Sequence, residues 1–105
     1  MKTFDDVKKH IYDKRIQKLT QKRQKLTDEI YELDHDIIGF RQDEMYEQEK
    51  ESYGEPVDEF ILKNATKFRQ RAEMMWVNKT IKREKTEARL EKLQQKRSNE
   101  PSLKK

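Results

Sequence analysis

The sequence contains no cysteine, only two glycines and two prolines, and no long run of hydrophobic residues. The absence of cysteine excludes disulfides and thiolate chemistry. So few glycines and prolines argue against a fold that is rich in loops or β-turns. Because no apolar stretch suits a membrane span or a signal peptide, we expect a cytoplasmic protein that has no membrane contact.

Charged residues make up 44% of the 105 residues, and hydrophobic residues make up only 31%. A chain this polar cannot enclose a thick core, so it must be either disordered or elongated around a narrow apolar seam. Lys, Glu, Gln, Arg and Leu dominate the composition, and all five are good helix formers. We therefore predict an all-α fold of long helices, provided that the apolar residues are periodic.

Two features divide the chain into helices. Thr3, followed by two aspartates, has the composition of a helix start. The next strong break is the segment 52–56, where Pro56 suits the first turn of a second helix. The predicted boundaries are a helix at 3–52, a turn at 53–56 and a helix at 57–97, forming one hairpin domain over 1–97, and a disordered basic tail at 98–105.

The first helix carries heptad repeats, which are typical of a coiled coil. One core position holds Ile16, Arg23, Ile30 and Ile37, and the other holds Leu19, Leu26, Leu33 and Phe40. A separate stripe of Phe4, Val7 and Ile11 is expected to be offset from these heptads by a stutter.

The second helix has a less regular pattern. Its first stripe is Ile61, Ala65, Phe68, Ala72 and Met75. Trp76, Leu90 and Leu93 continue it in a shifted register.

The two helices match as an antiparallel hairpin. The matched apolar pairs are Leu33 with Trp76, Ile37 with Ala72, Leu19 with Leu90, and Ile16 with Leu93. The centre of this register lies between Gly54 and Glu55, inside the turn that the local sequence predicts. A parallel dimer through the first helix remains a rival arrangement, because it also accepts Ile at one core position and Leu at the other.

The run Met74–Val77 places four apolar residues in succession, so it covers every side of a helix. One apolar side is left over in a two-helix hairpin. We expect a homodimer that forms a helical bundle, with Met74, Met75 and Trp76 at the contact. The alternative is that one or two of these side chains are simply exposed.

Charge is segregated along the chain. Residues 1–27 hold nine basic and three acidic residues, residues 28–59 hold two basic and thirteen acidic, and residues 60–105 hold fourteen basic and five acidic. A hairpin would place the acidic block at its tip and bring the two basic blocks together at its open end. An ordinary charged coiled-coil surface is the alternative interpretation of these blocks.

Two sets of residues are therefore candidates for binding. The basic end predicts a nucleic-acid site, and the acidic tip together with the apolar run predicts a protein site. The nucleic-acid candidates are Lys14, Arg15, Lys18, Lys22, Lys25, Lys82, Lys85, Arg89, Lys92 and Lys96. The protein-binding candidates are Glu44, Glu47, Glu51, Met74, Met75 and Trp76.

Catalysis has no support in the sequence. A single Glu-x-x-His motif at Glu32 and His35 is too little for a metal site, and no cofactor or small-molecule substrate is predicted. We expect a non-enzymatic protein that binds a nucleic acid or a nucleoprotein complex through its basic end. The alternatives are a small phage-type inhibitor or adaptor, which binds a basic protein through its acidic tip, and a structural spacer or scaffold.

Overall fold

The computed structural model describes residues 3–99, which form two α-helices, α1 at Phe4–Ser52 and α2 at Glu59–Asn99. The helices pair as a helical hairpin, as predicted. α2 extends to Asn99, so it includes the first two residues of the predicted disordered tail. The rest of that tail, residues 100–105, lies outside the described residues.

Contacts divide the hairpin into two compact units. The turn unit comprises residues 28–80, and the terminal unit comprises residues 3–27 with residues 81–99. In the turn unit the rings of Phe40 and Phe68 lie 5.7 Å apart. In the terminal unit Arg97 forms an ion pair with Asp13. The two helices therefore run antiparallel within each unit.

α1 begins with the predicted cap. The Asp6 amide donates to the Thr3 hydroxyl at 3.1 Å, and the Thr3 amide donates to the Asp6 carboxylate at 3.3 Å. This reciprocal pair satisfies an amide that the first turn of a helix would otherwise leave without a partner. The Asp6 charge also interacts favourably with the positive end of the helix dipole.

α1 ends in a Schellman motif. The Glu55 amide donates to the Lys50 carbonyl at 2.8 Å, and the Gly54 amide donates to the Glu51 carbonyl at 3.2 Å. Gly54 adopts a φ of 75°, in the left-handed region that this motif requires after the helix.

α2 begins at Glu59, two residues later than predicted, and Pro56 precedes the helix. Asp58 determines this start, because its carboxylate accepts a hydrogen bond from the Ile61 amide at 3.1 Å. Val57 and Leu62 line one shallow groove on either side of this cap. They hold the positions of a hydrophobic staple, which fixes how the chain enters the helix.

The residues of each helix that face the other helix are called its seam. The α1 seam follows the predicted heptads without a stutter. Leu26, Ile30 and Leu33 are buried. Towards the N-terminus the same three-and-four spacing reaches Tyr12, which is half-buried. The predicted offset stripe is wrong, because its members fall on another side of the helix. Phe4 is 79% exposed, Val7 44% and Ile11 47%.

The α2 seam keeps one register, so the predicted shift is also wrong. Ala65 and Ala72 are buried as expected, but the other three members of the predicted stripe are exposed. Ile61 is 45% exposed, Phe68 44% and Met75 50%. The seam positions alternate instead through Leu62, Ala65, Arg69, Ala72, Trp76, Lys79, Arg83, Thr86, Leu90 and Leu93. Polar residues occupy four of these ten positions, which is why an apolar pattern alone missed the register.

Replacement by alanine should have opposite effects on stability at the two glycines. Gly39 lies inside α1, and a β-carbon there would meet no atom within 4 Å. Gly39→Ala should therefore raise the free energy of unfolding by about 0.5–1 kcal/mol. Gly54→Ala should lower it by about 1 kcal/mol, because alanine is strained at positive φ. Thermal and urea unfolding would measure both, and a destabilised Gly39→Ala variant would contradict the continuous helix.

Candidate nucleic-acid interface

Basic residues form one row on each helix of the terminal unit. On α1, Arg15, Lys18, Lys22 and Lys25 are spaced by three, four and three residues, so they share one side of the helix. On α2 the row uses alternating steps of three and four and comprises Lys82, Lys85, Arg89, Lys92 and Lys96. All nine side chains are exposed.

The two rows lie on the same face of the terminal unit. Arg15 and Lys22 each come directly before a seam position of α1, and Lys82, Arg89 and Lys96 do so on α2. When two helices pair antiparallel, residues at this position on one helix lie beside residues at the same position on the other. The two rows therefore border the same side of the helix contact. The nine residues of the two rows are called the basic face below. Lys14 alone among the predicted residues lies off this face, on the outer side of α1.

The opposite side of the terminal unit is acidic or uncharged. It contains Asp13 and Thr20 of α1 and Glu84, Glu87 and Glu91 of α2. None of the flanking positions on this side holds lysine or arginine over residues 3–27 and 81–99. Arg97 and Arg83, which occupy seam positions, turn towards this side and pair with Asp13 and Glu87. In the terminal unit, basic and acidic residues therefore lie on opposite faces. Counting the charges of each sequence segment did not reveal this separation.

Glu44 of the predicted acidic tip lies in the seam of the turn unit. Its carboxylate accepts hydrogen bonds from Arg69 and from the Thr66 hydroxyl, the latter at 2.8 Å. Arg69 also pairs with Glu73, which lies 3.9 Å from Arg41. The hydrogen bond from Arg69 lowers the pKa of Glu44, although partial burial opposes this shift.

Glu47 is the most deeply buried side chain of the predicted tip, with 1% of its surface exposed. One carboxylate oxygen accepts from the Lys50 ammonium at 2.8 Å, and the other accepts from the Asp58 amide at 3.2 Å. Glu47 therefore joins the end of α1 to the start of α2. Glu51, the third predicted acidic residue, is exposed.

The apolar run Met74–Val77 is spread around α2. Trp76 occupies a seam position and is half-buried. Met74 is 69% exposed, Met75 50% and Val77 47%. Met75 shares a side with Phe68, seven residues earlier, whereas Val77 lies on the other side of the seam. Met74, Met75 and Trp76 are successive residues of the helix, so the three predicted contact residues lie on different sides of α2.

Sequence reasoning missed Arg69 and treated Glu44 and Glu47 as free surface. The heptad spacing could have found all three. Steps of four and three beyond Phe40 reach both glutamates, and a step of three back from Ala72 reaches Arg69. A search for apolar residues alone passes over such positions.

Neither a membrane-spanning helix nor a group of metal ligands occurs among the residues that the structure describes. Over residues 3–99 no helix has a stretch that is long and apolar enough to cross a membrane. Within the same range no three His, Cys, Asp or Glu side chains are grouped in a way that could hold a metal ion. His35 of the Glu-x-x-His motif packs edge-on against Tyr31, with ring centroids 4.6 Å apart.

Comparisons with known proteins do not identify a relative. No protein-family model matches the chain, and no significant match exists among curated proteins or solved structures.

The Glu44–Arg69 contact predicts a pH-dependent stability. Glu44→Gln should lower the free energy of unfolding at pH 7 by about 1–3 kcal/mol, because Arg69 and the Thr66 hydroxyl lose a carboxylate acceptor in the seam and Arg69 keeps only its pair with Glu73. A carboxyl group whose pKa is lowered by folding stabilises the fold above its usual pKa of 4.5 and loses this contribution at lower pH. The difference in free energy of unfolding between the wild type and Glu44→Gln should therefore shrink as the pH falls below about 4.5.

Glu51→Gln is the matched control for this measurement, because Glu51 is exposed. It should change the free energy of unfolding by less than about 0.5 kcal/mol at either pH. Urea unfolding at pH 7 and pH 3.5 would measure all three proteins. Equal effects of the two substitutions would contradict the seam role of Glu44.

Proposed function

We propose that the chain is a non-enzymatic cytoplasmic protein that binds the phosphate backbone of a nucleic acid on the basic face of its terminal unit. The observation that carries this proposal is the placement of nine exposed cations on one face, while the flanking positions of the opposite side in residues 3–27 and 81–99 hold no lysine or arginine. Cations concentrated on one side are the electrostatic footprint of a nucleic-acid-binding surface.

The dimensions of the basic face suit a duplex. Successive charges in each row are three or four residues apart, which is about 4.5–6 Å along a helix. The α2 row from Lys82 to Lys96 is about 21 Å long. About six base pairs of duplex DNA cover this length at ~3.4 Å per base pair. Lysine and arginine that contact the backbone carry no sequence information, so binding should be largely independent of sequence.

The sorting of charge favours this function over a merely solvated surface. A surface that serves only solubility mixes both signs. In the terminal unit the acids occupy the opposite side, and two seam arginines pair with acids there. Within each row of the basic face, the nearest neighbours at helical spacing are therefore other cations. Like charges at helical spacing destabilise a helix, so an anionic partner would relieve a cost that the fold carries.

Two of the three acidic residues named for the adaptor hypothesis are engaged within the turn unit. That hypothesis required the carboxylates of the acidic tip to face a basic protein. Glu44 and Glu47 instead bind groups within the turn unit, which leaves Glu51 as the exposed member of the predicted set.

Charge reversal on the basic face should abolish binding to duplex DNA. If four to six phosphates are neutralised, log–log plots of affinity against salt should have a slope of about −4 to −5. The variant Lys18→Glu, Lys22→Glu, Arg89→Glu should show no binding at low salt, because it replaces three exposed cations of the face with anions. Fluorescence anisotropy with a labelled duplex would measure both quantities.

The matched control variant changes the net charge by the same amount, but at three residues outside the basic face. Lys63, Lys67 and Arg71 are exposed in the turn unit, and their replacement by glutamate also removes six units of positive charge. This control should retain binding within about threefold, since it leaves the basic face intact. Loss of binding in both variants would mean that net charge alone matters. No binding by the folded wild-type chain would overturn the proposed function.

A further inference from the structure

The turn unit has a row of exposed apolar residues outside the seam. Tyr31, Ile38 and Met45 of α1 are separated by seven residues, so they lie in line on one side of the helix. Tyr31 is 64% exposed, Ile38 54% and Met45 58%. A heptad row that the partner helix does not cover is the pattern of a second packing surface.

A groove beside this row extends the apolar surface to α2. Its apolar lining is Ile37, Ile38, Trp76 and Val77, and its volume is about 560 Å³. Trp76 contributes the face of its indole ring to this lining, and its buried ring nitrogen has no hydrogen-bond partner within residues 3–99. The row and the groove together are called the groove face below. Isolated exposed apolar residues are ordinary, but a contiguous apolar groove marks an interaction site.

The charges around the groove suit a second copy of the same chain. Asp34, Arg41 and Glu73 line it, so both signs are present at its rim. The pair Arg41–Glu73 is held at 3.9 Å and stays largely solvated, with 61% of the Arg41 side chain exposed. A two-fold symmetric contact brings a surface against itself, which requires such self-complementarity.

The other side of the turn unit does not meet this requirement. Its α1 positions carry Glu29, Glu32, Asp36 and Asp43, followed by Lys50, and Glu29 is paired with Lys79. A symmetric contact between the α1 helices on this side would bring carboxylates of the two copies together, and juxtaposed like charges disfavour an interface. The α2 positions of this side also carry exposed apolar residues, Ile61, Phe68 and Met75, so the acids on α1, rather than a lack of apolar surface, distinguish it from the groove face. Charge on α1 therefore favours the groove face as the self-complementary side.

The whole side of the turn unit that carries the groove face is large enough for a stable dimer. The α1 part of the turn unit, residues 28–52, is about 37 Å long, and two paired helices are about 20 Å wide. Their product is about 700 Å², close to the ~800 Å² per partner that a stable interface buries.

We infer that the groove face of the turn unit is the contact between two copies of this chain, related by two-fold symmetry. Tyr31, Ile38, Met45 and Val77 of each copy pack together, and Arg41 of each copy meets the acidic rim of its partner. This surface differs from the predicted one, because Met75 lies outside it. The inference is independent of the basic face, which belongs to the terminal unit.

Sedimentation equilibrium of matched variants tests this contact. The wild-type chain should sediment at twice its mass of 12.9 kDa at micromolar concentration. Ile38→Glu and Val77→Glu each place a charge in the groove and should give monomers. Met75→Glu changes a side chain of similar exposure on the other side, and it should remain a dimer.

Circular dichroism of each variant shows whether the helices are retained. Ile38 and Val77 lie outside the seam on different helices, so a folding defect at one position would not account for the same result at both. A monomeric wild-type chain, dimeric Ile38→Glu and Val77→Glu variants, or a Met75→Glu variant that dissociates as they do would each overturn the inference.

Discussion

The seam between α1 and α2 fixes which side of each helix faces its partner and which sides face outwards. It repeats in steps of three and four residues from Tyr12 to Glu47 on α1 and from Leu62 to Leu93 on α2. Only six hydrophobic residues of the described chain are buried, so contacts of half-buried and polar seam residues contribute much of the pairing. In the turn unit these include the hydrogen bonds of Glu44 and Glu47, which replace apolar packing next to the turn. Breaking such a partly buried charge pair is costly, so these bonds also fix the register.

The continuity of the seam has a direct consequence for charge. Because each heptad keeps the same sides, the positions that flank the seam form separate faces along the helices. In the terminal unit one face collects nine cations, while the other holds acids and uncharged residues. In the turn unit one side has the groove with apolar residues and both signs of charge, and the other has four acids on α1 and three exposed apolar residues on α2. A sequence with a net charge of only +4 can thereby present strongly charged surfaces.

Much of the fold was predictable because its local signals are strong. The heptads of α1, the Thr3 cap and the glycine at the turn each have a distinct physical signature, and each appears in the structure. The register of α2 was not predictable from apolar residues, since Arg69, Lys79, Arg83 and Thr86 occupy seam positions. Long polar side chains can hold such positions when their heads reach a partner at the rim, as Lys79 does with Glu29 at 3.3 Å. The candidate basic residues could be chosen from charge alone, but their common face required the register.

In the proposed complex the basic face, rather than the net charge of the chain, holds the nucleic acid. Nuclear magnetic resonance of the labelled protein during titration with a short duplex tests it most directly. The amide signals of Lys18, Lys22, Lys85 and Arg89 should shift in proportion to the bound fraction, while those of Thr20, Glu84 and Glu87 should stay nearly unchanged. Equal shifts on both sides of the terminal unit, or shifts confined to the turn unit, would contradict the account.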